Sequence, residues 1–311
     1  MNADALPKLV EIPGDIVGTP PYHGQGCVMQ SLFLAGQVAA QQAFIDRLLV
    51  EPAGGALSFT VPTGAVMLAA VYAETMGSLD PHDAQKGVIR EWDIGFWTGV
   101  WGGLTAQPAS WTFYWVPSFL FVDTGSAMAA GREIFGYPKT VAGWSRGPVV
   151  PEDAAVSLDV LHYPVFGPTE RPIGQTLVFV ERAANVTAVA TGKLDVEFWH
   201  SSGIPPQLLA GMDPVPQDLS LTIPQLLLRQ VRDAAQPDRA SLQAATVVEI
   251  KTSNFAGAGR IPGRWSVTVA PSASHPICAT LGLAPTTTTD LACWVRQDFT
   301  VPAARYLWKA A

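Results

Sequence analysis

A β-rich α+β fold is what this 311-residue sequence predicts, on three observations. Its 28 glycines and 26 prolines are spread along the whole length, and such frequent punctuation suits many short strands joined by turns better than a helical bundle. Between these breakers run segments enriched in β-branched and aromatic residues, which fit a pleated surface. Helical periodicity is confined to two stretches.

The first element is a helix over Val38 to Leu49. There Val38, Ala39, Gln42, Ile45, Leu48 and Leu49 form a mostly apolar stripe at three-to-four spacing, ended by the Glu51-Pro52 step. Strands are expected at Val66 to Ala73, Phe96 to Trp101, Trp111 to Val116 and Phe119 to Val122. In the third of these, Trp111, Phe113 and Trp115 alternate with Thr112 and Tyr114, which makes one face heavily aromatic and specifies the register. Further strands are read at Ala154 to Leu161, Thr176 to Arg182, Val186 to Ala190 and Lys193 to Phe198. A shorter helix over Pro224 to Arg232 opens with proline in its first turn. Ala245 to Thr252, Arg264 to Ala270 and Ala292 to Phe299 complete a mostly antiparallel set, and Thr286 to Thr289 reads as a brief polar loop. No internal repeat and no long polar interior stretch divides the chain, so residues 1–311 are expected to form a single domain.

Composition excludes several classes. A formal net charge of −7 with no cluster of Lys and Arg argues against a nucleic-acid partner, which relies on a clustered positive excess. The longest apolar stretches, around Ala65 to Ala73 and Phe113 to Val122, are too short or too interrupted to cross a bilayer as helices. Met1 to Pro13 has no basic start followed by an apolar run, so no membrane partner is expected and the cytoplasm is the expected location. Cys27, Cys278 and Cys293 form no CxxC pair, and the five histidines are scattered, so a disulfide framework and a metal site are not expected. Asn185-Val186-Thr187 matches the glycosylation acceptor pattern, a three-residue match that arises often by chance. Nucleotide-binding glycine loops and a Gly-x-Ser-x-Gly elbow are absent from the sequence, and no cofactor is called for.

Chemistry concentrates in Gly131-Arg132-Glu133-Ile134-Phe135-Gly136-Tyr137-Pro138-Lys139-Thr140. This segment sets one lysine in apolar, aromatic and conformationally restricted surroundings. Desolvation penalises an ammonium and releases the free amine, the form that attacks a carbonyl. The segment resembles the active-site stretch of the acetoacetate decarboxylase superfamily, which runs Gly-Arg-Glu, a few mostly apolar residues, Tyr or Phe, Pro and the Schiff-base lysine. Pro224 to Arg232 also resembles its Pro-x-Phe-Leu-Leu-Lys helix, and Asp298-Phe299-Thr300-Val301-Pro302 its C-terminal Asp-Leu-Thr-Leu-Pro strand.

The resemblance implies curved antiparallel sheets around an apolar cavity, homo-oligomeric assembly, and Lys139 as the amine that forms an imine with a small keto acid. It implies a proton-moving carboxylate in the stretch Glu91-Trp92-Asp93-Ile94-Gly95, with Asp93 or Glu91 in that part. These two are two residues apart and share one face of a strand. Phe135, Tyr137, Trp92 and Trp97 are candidates to line the cavity. Arg132 and Glu133 would hold the lysine loop by hydrogen bonds. Glu74 is a strand-end carboxylate to test for burial.

Two departures stand out. The superfamily's second lysine, next to the first, is Thr140 here, so activation would rest on burial. Gln30 or Ser31 falls near the position of the superfamily's arginine that engages the substrate carboxylate. Three outcomes are therefore open: a carbon–carbon lyase on a small keto acid, with altered specificity; an aldolase-dehydratase condensing pyruvate with an aldehyde; or a non-catalytic small-molecule-binding protein on the same fold.

Overall fold

The computed structural model describes residues 9–10, 17–146, 153–183 and 221–310. Among these the strands are β1 (Tyr22–Ala35), β2 (Leu57–Thr60), β3 (Ala65–Ser78), β4 (Ile89–Leu104), β5 (Thr112–Val122), β6 (Lys139–Arg146), β7 (Val156–His162), β8 (Ile173–Arg182), β9 (Thr222–Arg232), β10 (Ala240–Arg260), β11 (Trp265–Val269), β12 (Thr286–Thr289), β13 (Ala292–Val301) and β14 (Arg305–Lys309). The α-helices are short: α1 (Val38–Ile45), α2 (Gly125–Ala130) and α3 (Ile277–Leu281). A wider helical turn continues α1 over Asp46–Val50, up to the Glu51-Pro52 step expected to stop it.

Strand pairing closes on itself. The order β5-β9-β10-β13-β1-β3-β4 returns to β5, because β4 and β5 pair from Asp93 opposite Val122 to Gly102 opposite Thr112. Seven strands thus make a barrel, which removes open edges. From β5 the sheet continues outward through β6, β7, β8, β11 and β12. β5 is the fork: Trp115 in its first half lies opposite Gln225 of β9, and Leu120 in its second half opposite Lys139 of β6. Both pairings are parallel, so the curved sheet is mixed and not wholly antiparallel.

Alternation along the strands divides the core into layers. On β4, Ile94 and Phe96 face outward and join Val156, Leu158, Val178 and Val180 of the second sheet. On β5, Phe113 and Trp115 face the barrel interior, whereas Tyr114 and Val116 pack with Ile45 and Leu49. Phe113 and Trp115 thus share the aromatic face read from the sequence, with ring centroids 5.3 Å apart, but the opposite face is buried too, and Trp111 precedes the strand, donating from Nε1 to the Leu104 carbonyl at 3.0 Å.

Two further elements differ from expectation. Pro224 to Arg232 is strand β9, not a helix, since Leu226 and Leu227 are both buried, on opposite faces of a strand wedged between β5 and β10. A short apolar run after a proline fits either element, and the neighbouring strands decide it. Thr286 to Thr289 is strand β12 at the far edge of the second sheet, as β-branched threonines permit. Strand candidates Val186 to Ala190 and Lys193 to Phe198 lie outside the described residues.

Candidate active site

All seven barrel strands contribute to one interior cavity of about 390 Å³. On β1, Cys27 and Met29 face it. On β4, the inward series is Glu91, Asp93 and Trp97. Leu120 of β5 lies between Gly95 of β4 and Lys139 of β6, so the lysine begins its strand two strand spacings from the inward carboxylates. A long side chain spans that distance. Lys139 Nζ is 2.7 Å from Glu91 Oε1 and 3.8 Å from Asp93 Oδ2.

The turn that delivers the lysine is built from local rules. Thr124 Oγ1 accepts from the Ala127 amide at 3.2 Å and caps α2, a Ser/Thr role at helix starts. A wide helical turn, Gly131–Phe135, then ends at Gly136, whose φ of 94° and ψ of 18° lie in the left-handed region. The Gly131 carbonyl accepts from the amides of both Gly136 and Tyr137 at 3.0 Å. Thr246 Oγ1 donates to the Phe135 carbonyl at 2.7 Å, and Arg132 Nη1 to the Lys139 carbonyl at 3.2 Å. Gly131 has a second duty: a Cβ there would lie 2.5 Å from Lys139 Cδ, so the lysine stem passes where a side chain would be.

The charge state follows from competing effects. Burial alone lowers the ammonium's pKa, but the charges of Glu91 and Asp93 and the hydrogen bonds to them outweigh it, and the net shift of Lys139 is upward. The expectation of a resting amine neutralised by burial is thus corrected: the lysine rests as an ion pair. Asp93 takes the opposite part. Burial pushes its carboxyl up to about 7 despite the nearby Lys139 charge, with Glu91 and Asp123 adding to the rise. Burial, with Asp93 and Glu91, also pushes the Tyr137 phenol well above its ordinary range, so it stays neutral and donates to Gln225 Oε1. Cys27 is held protonated in the same way, its thiol pushed up to about 12 by burial and by the charges of Asp298 and Glu91.

The residues singled out from sequence divide into two groups. Lys139, Glu91, Asp93, Phe135, Tyr137 and Trp97 converge on the cavity. Trp92 does not, because it alternates to the outer face of β4 and packs against Tyr72, with ring centroids 4.6 Å apart and planes tilted by 48°. Gln30 likewise points out of the barrel, and its Nε2 donates to the Asp153 carbonyl at 2.9 Å. Thr140 follows Lys139 on its strand and so lies on the other face. Glu74 is exposed at the rim, beside Gly26. The Glu133 side chain is exposed, and its carbonyl rather than its carboxylate ties the loop, accepting from Arg229 Nε at 2.8 Å.

Sequence reasoning missed Tyr22, Gln225 and the methionines Met29, Met67 and Met76, all of which line the cavity. The isolated Gln225 before three leucines carried the signal, visible once that run is a strand. No group of three or more potential metal ligands gathers among the described residues.

No family model matches the chain, and no curated protein is similar to it in sequence. Solved structures are similar in fold. The acetoacetate decarboxylase of Legionella pneumophila matches with a TM-score of 0.59 at 13% identity, over 97% of this chain and 92% of its own. A second acetoacetate decarboxylase structure matches with a TM-score of 0.60 at 12% identity, over 99% of each chain. The enduracididine biosynthesis enzyme MppR, solved with the condensation product of pyruvate and imidazole 4-carboxaldehyde, matches at 0.52 and 12%, over 95% of this chain and 92% of its own. At these identities the likeness is one of architecture, and a barrel joined to a second sheet, closed over one apolar cavity, is the acetoacetate-decarboxylase-like fold.

Proposed function

We propose that this protein is a divergent member of the acetoacetate decarboxylase superfamily, a lyase that makes or breaks a carbon–carbon bond through an imine on Lys139. The observation that carries this reading is the lysine's setting: a buried amine in the wall of a mostly apolar cavity, 2.7 Å from one carboxylate and 3.8 Å from a second. Glu91 is near enough to take the ammonium proton directly. The freed amine adds to a carbonyl carbon, and Asp93, whose pKa of about 7 lets it give and take protons near neutrality, protonates the departing oxygen as water. The resulting iminium draws electrons from an adjacent bond. Loss of carbon dioxide from a small keto acid and aldol cleavage or condensation with an aldehyde both run through this one intermediate. MppR, bound to pyruvate in one structure, supports a carbonyl compound as the ligand.

Tyr137, Phe135 and Trp97 wall the reacting end, and Arg132 and Glu133 keep the lysine turn in place. In this reading the chain forms one domain, works in the cytoplasm and assembles into homo-oligomers, the last tested by light scattering in solution. Among the described residues, no helix is long and apolar enough to cross a membrane.

Borohydride trapping tests the chemistry. Incubation with pyruvate, acetoacetate or a methyl ketone and borohydride is expected to add a covalent mass to the peptide containing Lys139. Failure to trap any carbonyl compound in a folded protein would favour the non-catalytic binding alternative.

A further inference from the structure

This inference rests on the imine reading and concerns what the imine is made from. Lys139 sits against more negative charge than it needs. With the lysine protonated, Glu91 alone balances it, and Asp93 adds further negative charge to the extent that it ionises. Imine formation with an uncharged carbonyl compound preserves that balance. The ammonium gives one proton to Glu91, the nitrogen lone pair forms the C–N bond, and the carbonyl π pair moves to oxygen. After protonation that oxygen leaves as water with its bonding pair, while nitrogen's second proton is exchanged through the carboxylates and the C=N bond forms. In sum, ammonium plus ketone gives iminium plus water, and a single positive charge still faces Glu91.

A keto acid breaks this economy, because its carboxylate enters beside two others. Among the described residues lining the cavity, the cations are Lys139 and Lys86, and each already lies 2.7 Å from a carboxylate, Lys86 from that of Asp83. The buried polar groups that remain are neutral amides, Gln225 and Gln297. Tyr137 occupies the oxygen of Gln225, so its amide hydrogens are what it offers to a neutral oxygen in the cavity. The rest of the wall is apolar, including Met29, Met67, Met76, Val71, Ile250 and Phe299. Methionine-rich walls adapt to varied apolar shapes. About 390 Å³ falls within the roughly 300–1,000 Å³ of pockets that enclose drug-sized molecules, more than a three- or four-carbon acid requires.

We propose that the substrate is an uncharged ketone carrying an apolar chain or ring, and that the carbon–carbon bond broken is that of a β-hydroxy ketone. Such a substrate has no carbon dioxide to lose. Asp93 or Glu91 removes the hydroxyl proton, the oxygen's electrons form the carbonyl of a departing aldehyde, and the broken bond's pair moves into the iminium to give an enamine. Protonation of that enamine at carbon and hydrolysis return the shorter ketone and free lysine.

The test is trapping with matched pairs: 2-octanone against 2-oxooctanoate, and acetone against pyruvate, with borohydride delivering hydride to the iminium. Mass spectrometry of the Lys139 peptide gives the half-saturating concentration for each. The expected result is half-saturation by 2-octanone at a concentration about tenfold or more below that of 2-oxooctanoate, and well below that of acetone. Equal or tighter trapping of the keto acids would overturn the uncharged-substrate inference while leaving the imine reading standing. Absence of any adduct, with an unchanged melting curve and Lys139→Ala as the labelling control, would overturn the imine reading and this inference with it.

Discussion

In the proposed imine chemistry, Lys139, Glu91 and Asp93 share protons unequally. Glu91 lies near enough to hold the ammonium and to accept its proton, so Glu91→Gln is expected to slow imine trapping by about 10²–10⁴-fold, the usual contribution of a positioned base. Stopped trapping followed by mass spectrometry checks this, with circular dichroism to establish that the fold survives. Asp93 makes a prediction about stability. Burial raises its pKa from the ordinary carboxylate range to about 7, so the folded chain binds that proton more tightly than the unfolded chain does. The stability this contributes is complete below about pH 4 and is lost as pH rises through about 7. Asp93→Asn carries no such charging cost. It is expected to be more stable than the parent at pH 8, by roughly 2–4 kcal/mol, with the gap closing toward pH 4. Denaturant titrations at the two pH values measure it, and a gap independent of pH would contradict the argument.

At the scale of the element, the turn between β5 and β6 decides where the amine points. Gly131→Ala puts a methyl 2.5 Å from Lys139 Cδ, and the stem of the lysine must move to admit it. Trapping at Lys139 is expected to fall sharply while the melting temperature changes little, because the displaced atoms belong to a flexible side chain. Gly136→Ala differs in kind. Its left-handed φ costs an L-residue about 1–2 kcal/mol, and its Cβ would meet the backbone Cα of Arg229 at 2.6 Å. That variant is expected to lose about 2 kcal/mol or more of stability, read as a lower denaturant midpoint. Both glycines stand in the segment that the sequence singled out, yet their reasons were not legible there. The first is crowded by a side chain eight residues away, and the second by a strand more than ninety residues on.

At the scale of the whole molecule, barrel closure turns separate strands into a container. Met29→Trp fills part of that container from β1 and leaves the residues of the lysine turn unchanged. It is expected to raise the half-saturating concentration of long ketones in the trapping assay more than that of acetone, at a stability cost of about 1–3 kcal/mol for overpacking. An equal effect on both would mean that Met29 does not border the space where the apolar chain lies.

The resemblance of the segment from Gly131 to Thr140 made Lys139, with Asp93 or Glu91, the candidates; sequence pattern by itself determined the strand-rich class, the helix after β1 and the shared face of the two carboxylates. Each is a local matter: β-branched and aromatic runs favour pleats, a three-to-four stripe favours a helix, and residues two apart on a strand share a face. Only the tertiary structure decided that Pro224–Arg232 is a strand, that Gln30 and Trp92 turn away from the cavity, and that Gln225 turns into it. Those outcomes depend on which strand is neighbour to which, and a pleat one residue out of phase sends every side chain to the opposite face. The charge of Lys139 was decided there too. Its own segment supplies burial alone, and the carboxylates that hold its proton arrive from β4, nearly fifty residues earlier in the chain.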